Sequence, residues 1–285
     1  MHPRVGRFGI IRMGAWKQSW AKARMLKPSR VRRDAERPFH LEIFADDETG
    51  REALARTFAP QHLHGLPRSR ALRHLSAAAG GKAIAVRSPG AAEGGTEIDW
   101  QSPEPGFRAL LQAHPQHRLA LARAFPPLRN LLARELIHAV AARNAALAAI
   151  TALPEVVPTP LSLLLALGEF GSDTVLLTGN QIGLCFELSA LCGDEVGWSA
   201  QIAPIAAIVL GAFGWRALAR ELVGLVPGGI GVAAKAGVAY SGTLAVGVGL
   251  WQRSARRSDT QMPNSSTRAR ASVVSLLLAR ERQSA

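Results

Sequence analysis

The sequence predicts a mainly α protein: an apolar helical bundle or membrane helical domain preceded by a small degenerate α/β segment. Hydrophobic residues make up 48% of the chain but aromatic ones only 6%, so Ala, Leu, Val and Ile carry the apolar content, as in helices packed on helices. Beyond Phe107 the spacing is helical, with Leu128, Leu131, Leu132, Leu136, Val140 and Leu147 on one side. Only a short stretch near Phe39 alternates in the manner of a strand.

Four regions follow in chain order. Residues 1–37 read as a basic arm, disordered or interfacial, and residues 38–106 as the α/β segment. Residues 107–251 form the apolar helical domain and residues 252–285 a basic tail. The arm holds eleven Lys and Arg against Asp34 and Glu36, a net +9; the tail holds seven Arg against Asp259 and Glu281, a net +5. The intervening body, with sixteen basic and seventeen acidic residues, is close to neutral. The overall +13 therefore belongs to the two ends.

Such ends attract polyanions. Each Lys or Arg near an anionic lipid surface contributes about 1 kcal/mol, and similar clusters bind nucleic acid through its phosphates. Met13, Trp16 and Trp20 fall on one helical side among Arg12, Lys17 and Arg24, a pattern that suits an interfacial helix. Anionic lipid is thus the expected partner, and the apolar C-terminal half argues against nucleic acid. The first thirty residues lack the continuous apolar run of a secretory signal. Cys185 and Cys192, with no CxxC and no neighbouring His, read as buried thiols in a reducing compartment.

In the α/β segment, Phe39, Leu41, Ile43 and Ala45 alternate with His40 and Glu42, then Asp46 to Gly50 makes a polar turn before a helical run through Phe58. A second strand is expected at Lys82 to Arg87, while Ser88 to Gly106 reads as loop. Nucleotide chemistry is not supported. Gly228 to Lys235 lacks the glycine that precedes a P-loop lysine, and the Asp46–Gly50 turn presents carboxylates where a phosphate needs amides. His62 with His64, and His114 with His117, lack the Cys or HExxH context of a zinc site. No catalytic residue, metal ligand or cofactor is expected, and the chain reads as non-enzymatic.

The helical domain is expected to place Arg129, Arg134, Arg143 and Asn144 on its polar side and to break at Pro154, Pro158 and Pro160. Three apolar stretches follow, near Thr174–Cys192, Val196–Trp215 and Leu222–Trp251. Crossing a bilayer takes about 20 largely apolar residues. Val196–Trp215 meets that length without a charge, though Gln201 and Pro204 weaken it. Leu222–Trp251 is long enough but carries Lys235 and Pro227, and Thr174–Cys192 is a poor span because of Asn180, Gln181 and Glu187. The same helices suit the buried centre of a bundle, and hydropathy does not separate the two.

Two groups of side chains are singled out. Arg216 and Arg220, one turn apart, and Lys235 are cations that could meet a lipid headgroup or an acidic partner. Asn180 and Gln181 must hydrogen-bond across the helices, because an unsatisfied buried amide costs about 1–3 kcal/mol. Ser172 or Asp173 serves as an N-cap. Gly231, Lys235, Ala239, Thr243 and Gly247 recur every four residues as a stripe of mostly small side chains suited to close helix packing.

Three runs taken together, AFPPLRNLLARELIHAVAARNAAL, SDTVLLTGNQIGLCFELSALCG and GWRALARELVGLVPGGIGVAAKAGVAYSGTLAVG, resemble the YcjF-type domain of unknown function over roughly Leu119 to Trp251. That domain occurs in bacterial inner-membrane proteins and behind Era-like GTPase domains. The resemblance implies a helical, membrane-associated protein of the bacterial inner membrane. The expected function is a scaffold or partner for a GTPase with cytoplasmic-facing ends, and a second copy of the chain is a further candidate partner. The resemblance places Asn180, Gln181, Arg216, Arg220, Pro227, Tyr240 and Thr243 at motif positions and supplies no catalytic role.

Overall fold

A computed structural model describes residues 27–63, 65–76, 79–92, 94–156, 172–211 and 230–260. The first helix, α1 (Pro28–Ala35), opens with proline at its first position, where the missing N–H costs nothing, and places Arg32 and Arg33 in its last turn. Strand β1 (Phe39–Phe44) buries Phe39 and Leu41 completely or nearly so, as the alternation requires. Asp47 then caps α2 (Glu48–Phe58), accepting a 2.7 Å hydrogen bond from the Gly50 amide. Helix α3 (Gly65–His74) returns the chain to β2 (Lys82–Arg87), which pairs in parallel with β1 from Phe39↔Lys82 to Phe44↔Arg87. A two-residue strand, β3 (Thr96–Glu97), adds a third parallel member inside the stretch the sequence reads as loop.

Helices α4 (Pro103–Ala113) and α5 (Arg118–Ala124) join the sheet to three longer helices. These are α6 (Pro126–Val156), α7 (Ser172–Cys192) and α9 (Ile230–Thr260), with a shorter α8 at 202–211. Leu128, Leu132, Leu136 and Val140 of α6 are buried at four-residue intervals. One hydrophobic core runs from Phe39 and Ile84 of the sheet, through Phe125 and Leu132, to Leu188 and Ile208. The protein is therefore mainly α with a small parallel sheet on a shared core. Pro154 does not end α6, which continues to Val156: a proline in a last turn forfeits little of the hydrogen-bond ladder. Pro158 and Pro160 lie outside the described residues.

The membrane reading is overturned. Among the described residues no helix is long and apolar enough to cross a membrane. Val196 to Gln201 form a turn rather than a helix, and α8 contributes only 202–211, with Pro204 in its first turn; the remainder of the Val196–Trp215 stretch is outside the described residues. Helix α9 is 31 residues long, but much of its length is Gly, Ala and Ser, and it carries Lys235, Arg253, Arg256 and Arg257. Helix α7 turns its amides and Cys185 into the bundle. A membrane helical domain, a transmembrane helix, an inner-membrane location and a membrane-associated scaffold function are corrected accordingly.

Candidate functional site

The polar motif residues lie together inside the three-helix bundle. Asn180 of α7 donates to Asn144 Oδ1 of α6 at 2.7 Å, and Asn144 in turn donates to Thr243 Oγ1 of α9 at 2.9 Å. Gln181 donates to the same hydroxyl at 3.2 Å, and Asn144 also reaches the Leu177 carbonyl at 3.3 Å. Each helix contributes at least one member, so the network fixes which faces meet. Asn144, expected on the polar side of its helix, is fully buried at the centre. Its position four residues after Val140 and eight after Leu136 continues the buried stripe, and that signal could have found it.

Outside this network, Tyr240 shares a 2.9 Å hydrogen bond with His138 on the surface of α6, and Lys235 is partly buried on α9. Asp173 stands in the first turn of α7, whose helix begins at Ser172. Arg216, Arg220 and Pro227 lie outside the described residues. This polar core holds the three helices together, with Asn144, Gln181 and Thr243 buried and Asn180 half-buried.

The loop from Gly193 to Gln201 is different. Gly193 ends α7 at φ 82°, a left-handed conformation that favours glycine, and the Asp194 amide closes back on the Ser189 carbonyl at 3.1 Å. Gln201, 4% exposed, braces the loop from inside: its Oε1 accepts from the Gly197 amide at 2.8 Å, and its Nε2 donates to the Glu195 carbonyl. Trp198 stands edge-on to Phe186 of α7 at 5.3 Å. The loop is thus fastened at both ends and in its middle.

The described parts of both basic regions, residues 27–37 and 252–260, meet this loop. Arg32 of α1 donates a 2.6 Å hydrogen bond to the Val196 carbonyl. From the opposite terminus, Arg256 and Arg257 of α9 line an open cleft of about 500 Å³ together with Gly193–Glu195 and Gln201. Burial pushes the Asp194 carboxyl above its ordinary range, while Arg257 pulls it the other way. Lys27 at the N-cap of α1, Arg30, Arg32 and Arg33 on α1, and Arg253, Arg256 and Arg257 on α9 are all exposed. Arg30 and Arg37 share Asp34, and Arg123 pairs with Glu36, so acids offset part of this charge.

Arginines from other elements surround the same end of α7. Arg70 of α3 packs on Gly193: a methyl group built there would stand 2.7 Å from Arg70 Nη1 and 3.5 Å from its Cζ. Arg129, expected on a polar helix face, donates to the Ala122 carbonyl at 3.1 Å and the Arg123 carbonyl at 2.9 Å. Burial lowers its pKa to about 10, with the Cys192 thiol opposing the shift and Arg70 and Arg123 adding to it. Sequence reasoning assigned the loop to an apolar stretch and missed this pole; Gly193-Asp194, Gly197 and Ser199 were the signals of a turn.

The carboxyl edge of the sheet is a poorer site. Strand order β1-β2-β3 has no reversal, and ligands of open parallel sheets bind where the order reverses. The α2 N-terminus, where a phosphate would sit, is already taken by the Asp47 carboxylate. Among the described residues no three His, Cys, Asp or Glu side chains are grouped to hold a metal ion. Comparison with protein-family models, with curated proteins and with solved structures returned no match for this chain.

Proposed function

We propose that this protein is a binding module without a catalytic step, which holds the phosphate backbone of nucleic acid at the pole where its two basic ends converge. One observation carries the reading: the braced Gly193–Gln201 loop brings Arg32, from the N-terminal arm, and Arg256 and Arg257, from the C-terminal tail, to a single end of α7. In their described parts the N-terminal region contributes Lys27, Arg30, Arg32, Arg33 and Arg37 against Asp34 and Glu36, and the C-terminal one Arg253, Arg256 and Arg257 against Asp259, so their meeting concentrates charge that either alone would spread.

The apolar C-terminal half, expected to argue against nucleic acid, forms among the described residues a bundle with no helix long and apolar enough to cross a membrane, and so is compatible with a charged surface at its end. The YcjF-type resemblance rests on the three quoted runs and adds a GTPase as a candidate partner, whereas the geometry of the pole favours a phosphate polymer.

The test is fluorescence anisotropy of the full-length chain with a labelled duplex across a salt series, and with polyglutamate as a competitor. Each phosphate contact releases counterions, so log K against log salt should fall with a slope of about −0.9 per contact, here roughly −4 or steeper. Polyglutamate should compete weakly. Absence of binding at low salt, or binding unaffected by salt, overturns the reading.

A further inference from the structure

The cleft beside the Gly193–Gln201 loop carries both signs of charge. Arg256 and Arg257 of α9 line it together with Asp194 and Glu195 of the loop. Phosphate alone does not call for the two carboxylates, which repel the same anion that the arginines attract. Nor do they serve the start of α8: Gln201, not a carboxylate, satisfies the loop amide at Gly197.

Among the described residues the Asp194 carboxylate and the Arg257 guanidinium make no hydrogen bond or ion pair, with one another or with a third group. Both stand on fixed backbone. Gly193 turns at φ 82° just before Asp194, the Asp194 amide is held by the Ser189 carbonyl, and the next carbonyl, of Glu195, accepts from Gln201. Arg257 belongs to α9, which packs along α6 and α7. An acceptor pair from the loop and a donor fork from the helix thus line one cleft of about 500 Å³. Sites for small organic groups run from about 300 to 1,000 Å³.

A group that fits between them must donate on one edge and accept on another. Two carboxylate oxygens are matched by two adjacent donors, and among the bases only guanine sets a ring N–H beside an exocyclic amine. Its other edge carries O6 and N7, the acceptor pair that an arginine fork meets in bidentate fashion. Adenine and cytosine offer a single exocyclic amine, and uracil and thymine a single ring N–H.

We propose that this cleft takes one unpaired guanine of a nucleic-acid strand, Asp194 accepting from its ring N–H and exocyclic amine and Arg257 donating to its O6 and N7. The base must be unpaired, because in a duplex its donor edge is already engaged. The proposal rests on the phosphate reading above in one respect, that a strand delivers the base.

The experiment is fluorescence anisotropy of the full-length chain with short polythymidine strands that carry one central guanine or one inosine, which lacks only the exocyclic amine. The wild type should bind the guanine strand about fivefold or more tightly, since a polar site left half-matched discriminates strongly. In D194N the two strands should bind within about twofold of each other. The same exchange within a duplex should make no difference. Equal affinity of the wild type for both single strands, with binding that still falls with salt, overturns the guanine site and leaves the phosphate reading standing. A preference that persists in the duplex or in D194N also overturns it. If neither strand binds, the phosphate reading fails, and thermal unfolding with guanosine or inosine decides the cleft by itself. A rise of roughly 2 °C with guanosine alone, lost in D194N, retains the base site, and no rise overturns it.

Discussion

Replacing Asn144 by Ala leaves the Asn180 amide and the Thr243 hydroxyl without their shared partner inside the bundle. The loss should be about 2–3 kcal/mol by urea denaturation, since an orphaned buried polar group costs more than the hydrogen bond it made. A second residue-scale expectation concerns Glu187, whose pKa burial raises. Arg118 of α5, Arg143 of α6 and Arg30 of α1 oppose that rise, and Asp34 of α1 adds to it. A carboxyl whose folded pKa exceeds its unfolded one favours folding fully below the unfolded value, and loses that contribution as pH rises through the folded value. Glu187→Gln should therefore raise the melting temperature at pH 7 and leave it nearly unchanged near pH 3, below the ordinary carboxylate range of about 4. An equal rise at both pH values would show that ionisation plays no part. Of these residues, Asn180 and Gln181 could be read from sequence because amides amid apolar neighbours need partners. Asn144 and Arg129 were misread, because a polar type suggested a polar face although each falls on a buried four-residue spacing, Leu136–Val140–Asn144 and Arg129–Ala133–Ile137.

At the scale of elements, α9 packs one face and leaves another open. A methyl group at Gly247 would stand 2.8 Å from Ile137 Cγ2 and 3.2 Å from Leu184 Cδ2, while nothing lies within 4 Å of one at Gly249. Gly247→Ala should cost about 1–3 kcal/mol by pushing α9 away from α6 and α7. Gly249→Ala should instead stabilise by about 0.5–1 kcal/mol through helix propensity alone. Circular dichroism melts of the pair check both signs, and similar shifts for both would contradict this packing. Strands β1 and β2 were readable because alternation is local, and α2 was readable from its polar turn. Strand β3 was not, since two residues carry no period. The false span at Val196–Trp215 arose because a hydropathy window averages across Gly197 and Ser199 without registering that the backbone turns there.

For the molecule as a whole, the charge of each end was plain in the sequence, but their meeting was not. It depends on the Gly193–Gln201 loop, far along the chain from α1, whose carbonyl at Val196 accepts from Arg32 with a sequence separation of 164. No local pattern encodes such a contact. The convergence also predicts that the two ends act as one surface. The most direct measurement is the salt slope of duplex binding for the wild type, for R30Q/R33Q, for R256Q/R257Q and for the four substitutions combined. Each pair should flatten the slope by roughly 1–2 units, and the combination should weaken binding by more than either pair at every salt concentration. Slopes that stay at the wild-type value in both pairs, or change in one pair only, would contradict a shared polyanion surface at this pole.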